Sequence, residues 1–103
     1  MTVTTMFNWN KESLETAAEA FKALGHPARI KIIAVLKDGG FSVNELVETL
    51  QIPQAVVSQH LRRLWGQGLL KRERAGNRII YRLAKPEVST ILSCIHNCLR
   101  LKS

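Results

Sequence analysis

Residues 42–70 read SVNELVETLQIPQAVVSQHLRRLWGQGLL, and the fold follows from how this stretch divides. Ser42-Val43-Asn44-Glu45 has serine followed three residues later by glutamate. That is a capping box, in which each side chain satisfies an amide at the start of a helix. The helix it opens is short, with Val43, Leu46, Val47 and Leu50 inward. After only Gln51-Ile52, Pro53 starts another helix, whose buried face is Val57, Leu61 and Leu64 and whose end is Gly66 or Gly68. So tight a link predicts that the two helices cross rather than run antiparallel, which is a helix-turn-helix.

Upstream, Asn10 can cap a helix with Glu12 in its first turn, suited to the positive end of the helix dipole. Leu14, Ala17, Ala18, Phe21 and Leu24 recur at helical spacing before Gly25. Pro27 fits the first position of a second helix. Ile30, Ile33 and Leu36 form its core stripe, widened by Ile32 and Val35, and Asp38-Gly39-Gly40 stops it. Downstream the period changes. Leu69–Arg74 and Arg78–Leu83 read as two strands around Ala75-Gly76-Asn77, where glycine and asparagine tolerate a positive φ. A last helix begins near Pro86, with Val88, Ile91, Leu92, Ile95 and Leu99 on one side. The expected architecture is mainly α with one β-hairpin: four helices, a hairpin and a fifth helix, a winged helix-turn-helix in one domain over residues 1–103, with residues 1–9 loosely ordered.

Charge separates the two halves of the 103-residue chain. Residues 1–50 hold five basic and six acidic groups, a net −1, whereas residues 51–103 hold ten basic and two acidic, a net +8. Between Gln54 and Lys85 stand Arg62, Arg63, Lys71, Arg72, Arg74, Arg78, Arg82 and Lys85 against Glu73 alone. A basic half on a near-neutral one is the footprint of a polyanion binder. No stretch approaches the ~18 apolar residues of a membrane span, and no basic segment followed by an apolar one marks a secretory signal. Two cysteines without such a signal point to a reduced, cytoplasmic compartment. Nothing resembles a nucleophile with its base and oxyanion donor, so an enzyme is not expected.

In a helix-turn-helix the second helix enters the major groove. With Val57, Leu61 and Leu64 inward, Gln54, Ala55, Ser58, Gln59, Arg62 and Arg63 point outward. Glutamine bonds bidentately to adenine, serine to several bases, and alanine packs on a thymine methyl. Arg62 and Arg63, further along, suit phosphates. On the hairpin, Arg72, Arg74 and Arg78 bracket a small turn that includes Asn77, giving a narrow basic tip for the minor groove or the backbone. The bland alternative for these residues is a solvated polar face. The rival function is a winged helix that docks proteins and never touches DNA; such a surface exposes aromatics rather than arginines.

Three segments carry a resemblance. Ala23-Leu24-Gly25-His26-Pro27-Ala28-Arg29-Ile30, then Gln54-Ala55-Val56-Val57-Ser58-Gln59-His60-Leu61, then Gly68-Leu69-Leu70 with Arg78 and Tyr81, resemble the ArsR/SmtB family of winged-helix repressors from about residue 14 to 99. The resemblance implies a homodimer built from the first and last helices, bound to an imperfect palindrome of double-stranded DNA and released by an effector. At position 55, where many relatives carry serine, this chain has alanine, so the hydroxyl contact of the family pattern is missing. His60, beside Leu61, reads as a structural histidine or a phosphate donor rather than a metal ligand.

Relatives with metal sites often carry Cys-x-Cys on the helix before the DNA-reading one, but Val43–Glu48 holds no cysteine or histidine. Others use Asp-x-His and His-x-x-Glu on the last helix, where this chain has only Glu87 and His96, at unsuitable spacing. What remains is Cys94 and Cys98, four apart and so on one helix face; His96 lies about 200° round from Cys94. Two readings stand: small apolar residues at a dimer seam, or a thiol pair sensing a soft thiophilic metal ion or oxidation. Two thiolates are too few for a closed four-ligand zinc site.

Overall fold

The computed structural model describes residues 10–99; the loose start expected for residues 1–9 lies outside the described residues. Asn10 opens the first helix, α1 (Lys11–Leu24), by accepting from the Ser13 amide at 2.8 Å. Helix α2 (Pro27–Leu36) has proline in its first turn, and the ring of His26 caps it, Nδ1 accepting from the Ala28 amide at 3.0 Å. A two-residue strand β1 (Phe41–Ser42) leads directly into α3 (Val43–Leu50). The capping box is complete: the Ser42 amide donates to Glu45 Oε1 at 2.8 Å, and the Glu45 amide donates to Ser42 Oγ at 3.2 Å. The link to α4 (Gln54–Gly66) is tightened by Gln51, which takes the left-handed conformation at φ 56° and donates through its side chain to the Glu48 carbonyl. Strands β2 (Leu70–Ala75) and β3 (Arg78–Leu83) form the hairpin, and α5 (Glu87–Leu99) ends the described chain.

The expected helices and hairpin are present, with four differences. The sheet has three strands, not two, in the order β1-β3-β2, because Phe41 and Ser42 pair antiparallel with Tyr81 and Ile80. The hairpin turn is two residues, Gly76-Asn77, since Ala75 still pairs with Arg78; Gly76 supplies the positive φ. Pro53 precedes α4 instead of starting it. Finally, Ile30 is 42% exposed and lies outside the core, whereas Ile32 and Ile33 are fully buried. Helix α2 is apolar on every side, so its spacing alone does not fix which face turns inward.

The core gathers where the two crossing helices meet α2 and the sheet. Ile32, Ile33, Leu46, Val57, Leu61 and Leu64 have essentially no exposed surface, and each contributes roughly 1.5–3 kcal/mol of burial. Tyr81 and Val88 join from β3 and α5. This packing fixes α4 by its inner face and leaves the outer one to solvent. Gly40 permits β1 to approach β3: a Cβ there would lie 2.5 Å from Ile80 Cγ2 and 2.8 Å from the Arg82 guanidinium carbon. Among the described residues no helix is long and apolar enough to cross a membrane.

Candidate nucleic-acid interface

Helix α4 divides cleanly. Val57, Leu61 and Leu64 point into the core, while Gln54, Ala55, Gln59, Arg62 and Arg63 are exposed and Ser58 is half-buried. Val56 is exposed as well, an apolar group on the outer face that the spacing argument passed over. Among the described residues no side chain caps the start of α4. Its leading amides lack intrahelical partners, so the positive end of the helix stays open to an anion such as a phosphate. His60 is turned inward and 9% exposed; its Nδ1 accepts from Arg29 Nε at 3.1 Å, the structural one of the two roles, structural histidine or phosphate donor, that the sequence leaves open.

The hairpin register sorts its arginines by face. Arg72 pairs with Tyr81 and Arg74 with Ile79, on one face; Arg78 pairs with Ala75, on the other. On the first face the Arg72 guanidinium lies 3.9 Å from the centre of the Trp65 ring, in the last turn of α4. That cation–π contact joins the hairpin to α4, and Arg74 extends the same face outward. On the second face Arg82 Nε donates to Glu73 Oε1 at 2.6 Å, and Arg78 approaches Glu45 at 4.0 Å. The hydrogen bond and charge of Arg82 hold the Glu73 carboxyl below the usual carboxylate range. Glu45 is held low chiefly by its bond from the Ser42 amide, with Arg78 a lesser cause. The pattern around α4 and the hairpin is therefore uneven. Arg62, Arg63, Lys71 and Arg74 form no ion pair among the described residues, whereas Arg78 and Arg82 do. Asn77 is exposed in the turn.

The predicted residues thus fall into one set on the outer face of α4, a second on the Arg72–Arg74 face, joined to α4 through Trp65, and a third around Arg78 and Asn77 at the hairpin tip. Sequence reasoning missed Trp65, the link between helix and hairpin. A lone tryptophan near a helix end gives no signal until the strand carrying Arg72 folds back on it.

Cys94 and Cys98 are free and exposed on α5. Among the described residues no group of three or more histidine, cysteine, aspartate or glutamate side chains is placed to hold a metal ion.

The family model for bacterial regulatory proteins of the arsR family matches residues 26–72, from the start of α2 into β2. The transcriptional repressor PagR of Bacillus anthracis is 39% identical over 85 residues, covering 82% of this chain and 85% of PagR. Its crystal structure superposes with a TM-score of 0.74, over 84% of this chain and 99% of PagR. The HTH-type transcriptional repressor SmtB of Mycobacterium tuberculosis is 40% identical over 82 residues, and this chain spans 80% of itself but 61% of SmtB. A homodimeric winged helix-turn-helix DNA-binding domain from Mycobacterium bovis, 25% identical, matches with a TM-score of 0.78 over 84% of this chain and 81% of that domain.

Proposed function

Because this chain belongs to the ArsR family of bacterial regulatory proteins, we propose that it is a homodimeric transcriptional repressor that binds an imperfect palindrome in double-stranded DNA and leaves it when an effector arrives. Its work is binding in the cytoplasm, not catalysis. The observation that carries this reading is a pair of basic surfaces, the exposed side of α4 with Gln54, Gln59, Arg62 and Arg63 and the hairpin face of Arg72 and Arg74, joined where Arg72 lies over Trp65. Groups able to read base edges lie at the start of α4, and cations that form no ion pair among the described residues follow. Gln54, Ser58 and Gln59 read bases, and Ala55 packs on a thymine methyl. Arg62, Arg63 and Arg74 grip phosphates, while Asn77 and Arg78 bring the hairpin tip to the adjacent groove. The rival protein-docking reading is disfavoured because α4 and the hairpin expose arginines against the single aromatic Trp65, itself engaged by Arg72.

Titration of random duplex against salt tests the reading. Each phosphate contact releases counterions, so log affinity should fall linearly with log salt, with a slope near −0.9 per contact. Binding that ignores salt overturns it.

The effector is proposed to act at Cys94 and Cys98. As thiolates on adjacent turns of α5 they can share a soft metal ion. Alternatively, a peroxide takes two electrons and two protons from a pair of thiols, leaving a disulfide and water. A disulfide within one helix at this spacing is strained, so that bond joins the two subunits.

A further inference from the structure

We propose that Arg29 and His60 are positioning residues which, through a neutral imidazole, tie the DNA-contacting helix to the carboxyl end of α1; the proposal rests on the DNA-binding reading above. The two segments 26–29 and 58–61 meet here, with His26 and Arg29 at the start of α2 and His60 on the inner side of α4. Arg29 Nε donates to His60 Nδ1 at 3.1 Å. A terminal nitrogen of the same guanidinium donates to the carbonyls of Ala23 at 3.0 Å and Lys22 at 3.3 Å. Those carbonyls lie in the last turn of α1, where that of Lys22 also accepts from the Gly25 amide at 3.0 Å, and the negative end of the helix dipole favours a cation there. One side chain of α2 therefore holds both α1 and α4.

The chemistry dictates the protonation state. Arginine only donates and stays charged, so His60 Nδ1 must carry a lone pair and the ring must be neutral. The His26 ring lies 4.5 Å away, centre to centre, and its own Nδ1 already accepts from the Ala28 amide. A proton added to the His60 ring goes to Nδ1 and displaces the Arg29 donor. The charged or titratable groups that act on His60 are His26 and Arg29; among the described residues none of α1, α3 and β2, which also pack on α4, supplies another. No carboxylate pairs with Arg29, His26 or His60 among the described residues. A charged His60 thus faces a guanidinium with nothing to neutralise either. Burial, then His26, then Arg29 hold its ring below the ordinary 6.5.

The sign follows. Above 6.5 the ring is neutral folded or unfolded, and the tie is intact. As the pH falls from 6.5 through the lower folded value, the unfolded or detached ring takes up a proton first, and the tie weakens. Helix α4 then loses its fixed angle to α1 and α2, and Ser58 and Gln59, next to His60 on the outer face, lose their register on the bases.

The test begins with a duplex selected from a random pool by the wild-type protein at pH 8. Affinity for it is measured from pH 8 to pH 5.5 for the wild type, H60Q, H60F and R29K. The wild type should weaken about tenfold or more over that range, within the usual span of coupling between sites. H60Q, whose amide oxygen accepts the same bond without titrating, should match the wild type at pH 8 and lose most of the pH dependence. H60F and R29K should each bind about tenfold more weakly at pH 8. A flat wild-type profile, a wild-type slope in H60Q, or H60F equal to the wild type at pH 8 overturns the proposal. Should H60F or R29K fail to fold, the wild type and H60Q decide between them. If no duplex is selected at all, the DNA-binding reading fails, and hydrogen exchange in α4 judges the tie alone: protection that falls with pH in the wild type but not in H60Q sustains it, and identical behaviour overturns it.

Discussion

Gln59 and Arg62 stand three residues apart on the exposed side of α4, yet their loss should read differently. Gln59→Ala removes a base contact and should cost ~1–3 kcal/mol on the selected duplex, with little change on random DNA. Arg62→Ala removes a phosphate contact, so it should weaken binding to all sequences alike and reduce the salt slope by about one. Parallel salt titrations on both duplexes check this; a selective Arg62→Ala and a silent Gln59→Ala would reverse the roles. The hairpin offers a matching contrast. Arg72 lies over Trp65, a contact worth about 0.5–1 kcal/mol at an exposed site, whereas Arg74 has no ion-pair partner among the described residues. Thermal unfolding should therefore show a small loss for Arg72→Ala and none for Arg74→Ala, although both weaken DNA binding. Gly40→Ala, by contrast, should destabilise by about 1–3 kcal/mol with no direct effect on the interface, because its methyl overlaps Ile80.

At the scale of elements, α3 depends on its capping box and the hairpin on its pairs with neighbours. Ser42→Ala should cost about 1 kcal/mol by removing the acceptor of the Glu45 amide, while the backbone amide at position 42 still holds the Glu45 carboxylate, which also faces Arg78 at 4.0 Å. Glu45 and Glu73 are both held below the ordinary 4.5. Their stabilisation is present above pH 4.5 and lost as the pH falls through their folded values, a window separate from that of His60, which opens at 6.5. Acid titrations of stability should show both steps, and Glu45→Gln should diminish the lower one; an unchanged lower step would mean that the charge of the Glu45 carboxylate contributes nothing. These elements were unequally legible. The capping box, the inward row of α4 and the β2–β3 hairpin are local patterns, and they appear where the sequence puts them, save that the hairpin turn is one residue shorter. Strand β1 is two residues long, too short for any period, and exists only because Tyr81 and Ile80 arrive from far along the chain. Ile30 was misplaced because α2 has apolar residues all round. The Arg29–His60 tie and the Arg72–Trp65 contact are likewise meetings of distant segments, which spacing cannot announce. The outer face of α4 was readable because the core fixes its inner one.

For the whole molecule, the decisive feature is apolar surface left uncovered on the first and last helices. Leu14 and Phe21 on α1 are 54% and 61% exposed, and Ile95 and Leu99 on α5 are 44% and 62% exposed. The single chain buries these stripes only in part, and a second copy can cover them. A dimer is expected by light scattering at micromolar concentration, with its DNA-contacting helices about one DNA turn, ~34 Å, apart. Ile95→Asp should yield a monomer, because a charge buried unpaired at the seam is costly; a monomeric wild type would remove the basis for both. The cysteines belong to this scale too. Cys94 and Cys98 flank Ile95 on α5 and are exposed in the single chain, so pairing of two last helices brings four thiols to one seam. An ion or a bond formed there shifts one α5 against the other, and with it the separation of the two α4 helices. Coupling of about 1–3 kcal/mol changes operator affinity roughly 5- to 150-fold. The double variant Cys94→Ser, Cys98→Ser should bind the selected duplex as the wild type does, yet fail to release it on addition of arsenite, cadmium or peroxide. Release of the wild type by one of these, absent from the double variant, is the outcome that makes the pair a sensor. If the wild type ignores all three, the thiols pack the seam, and the signal that frees the DNA enters elsewhere.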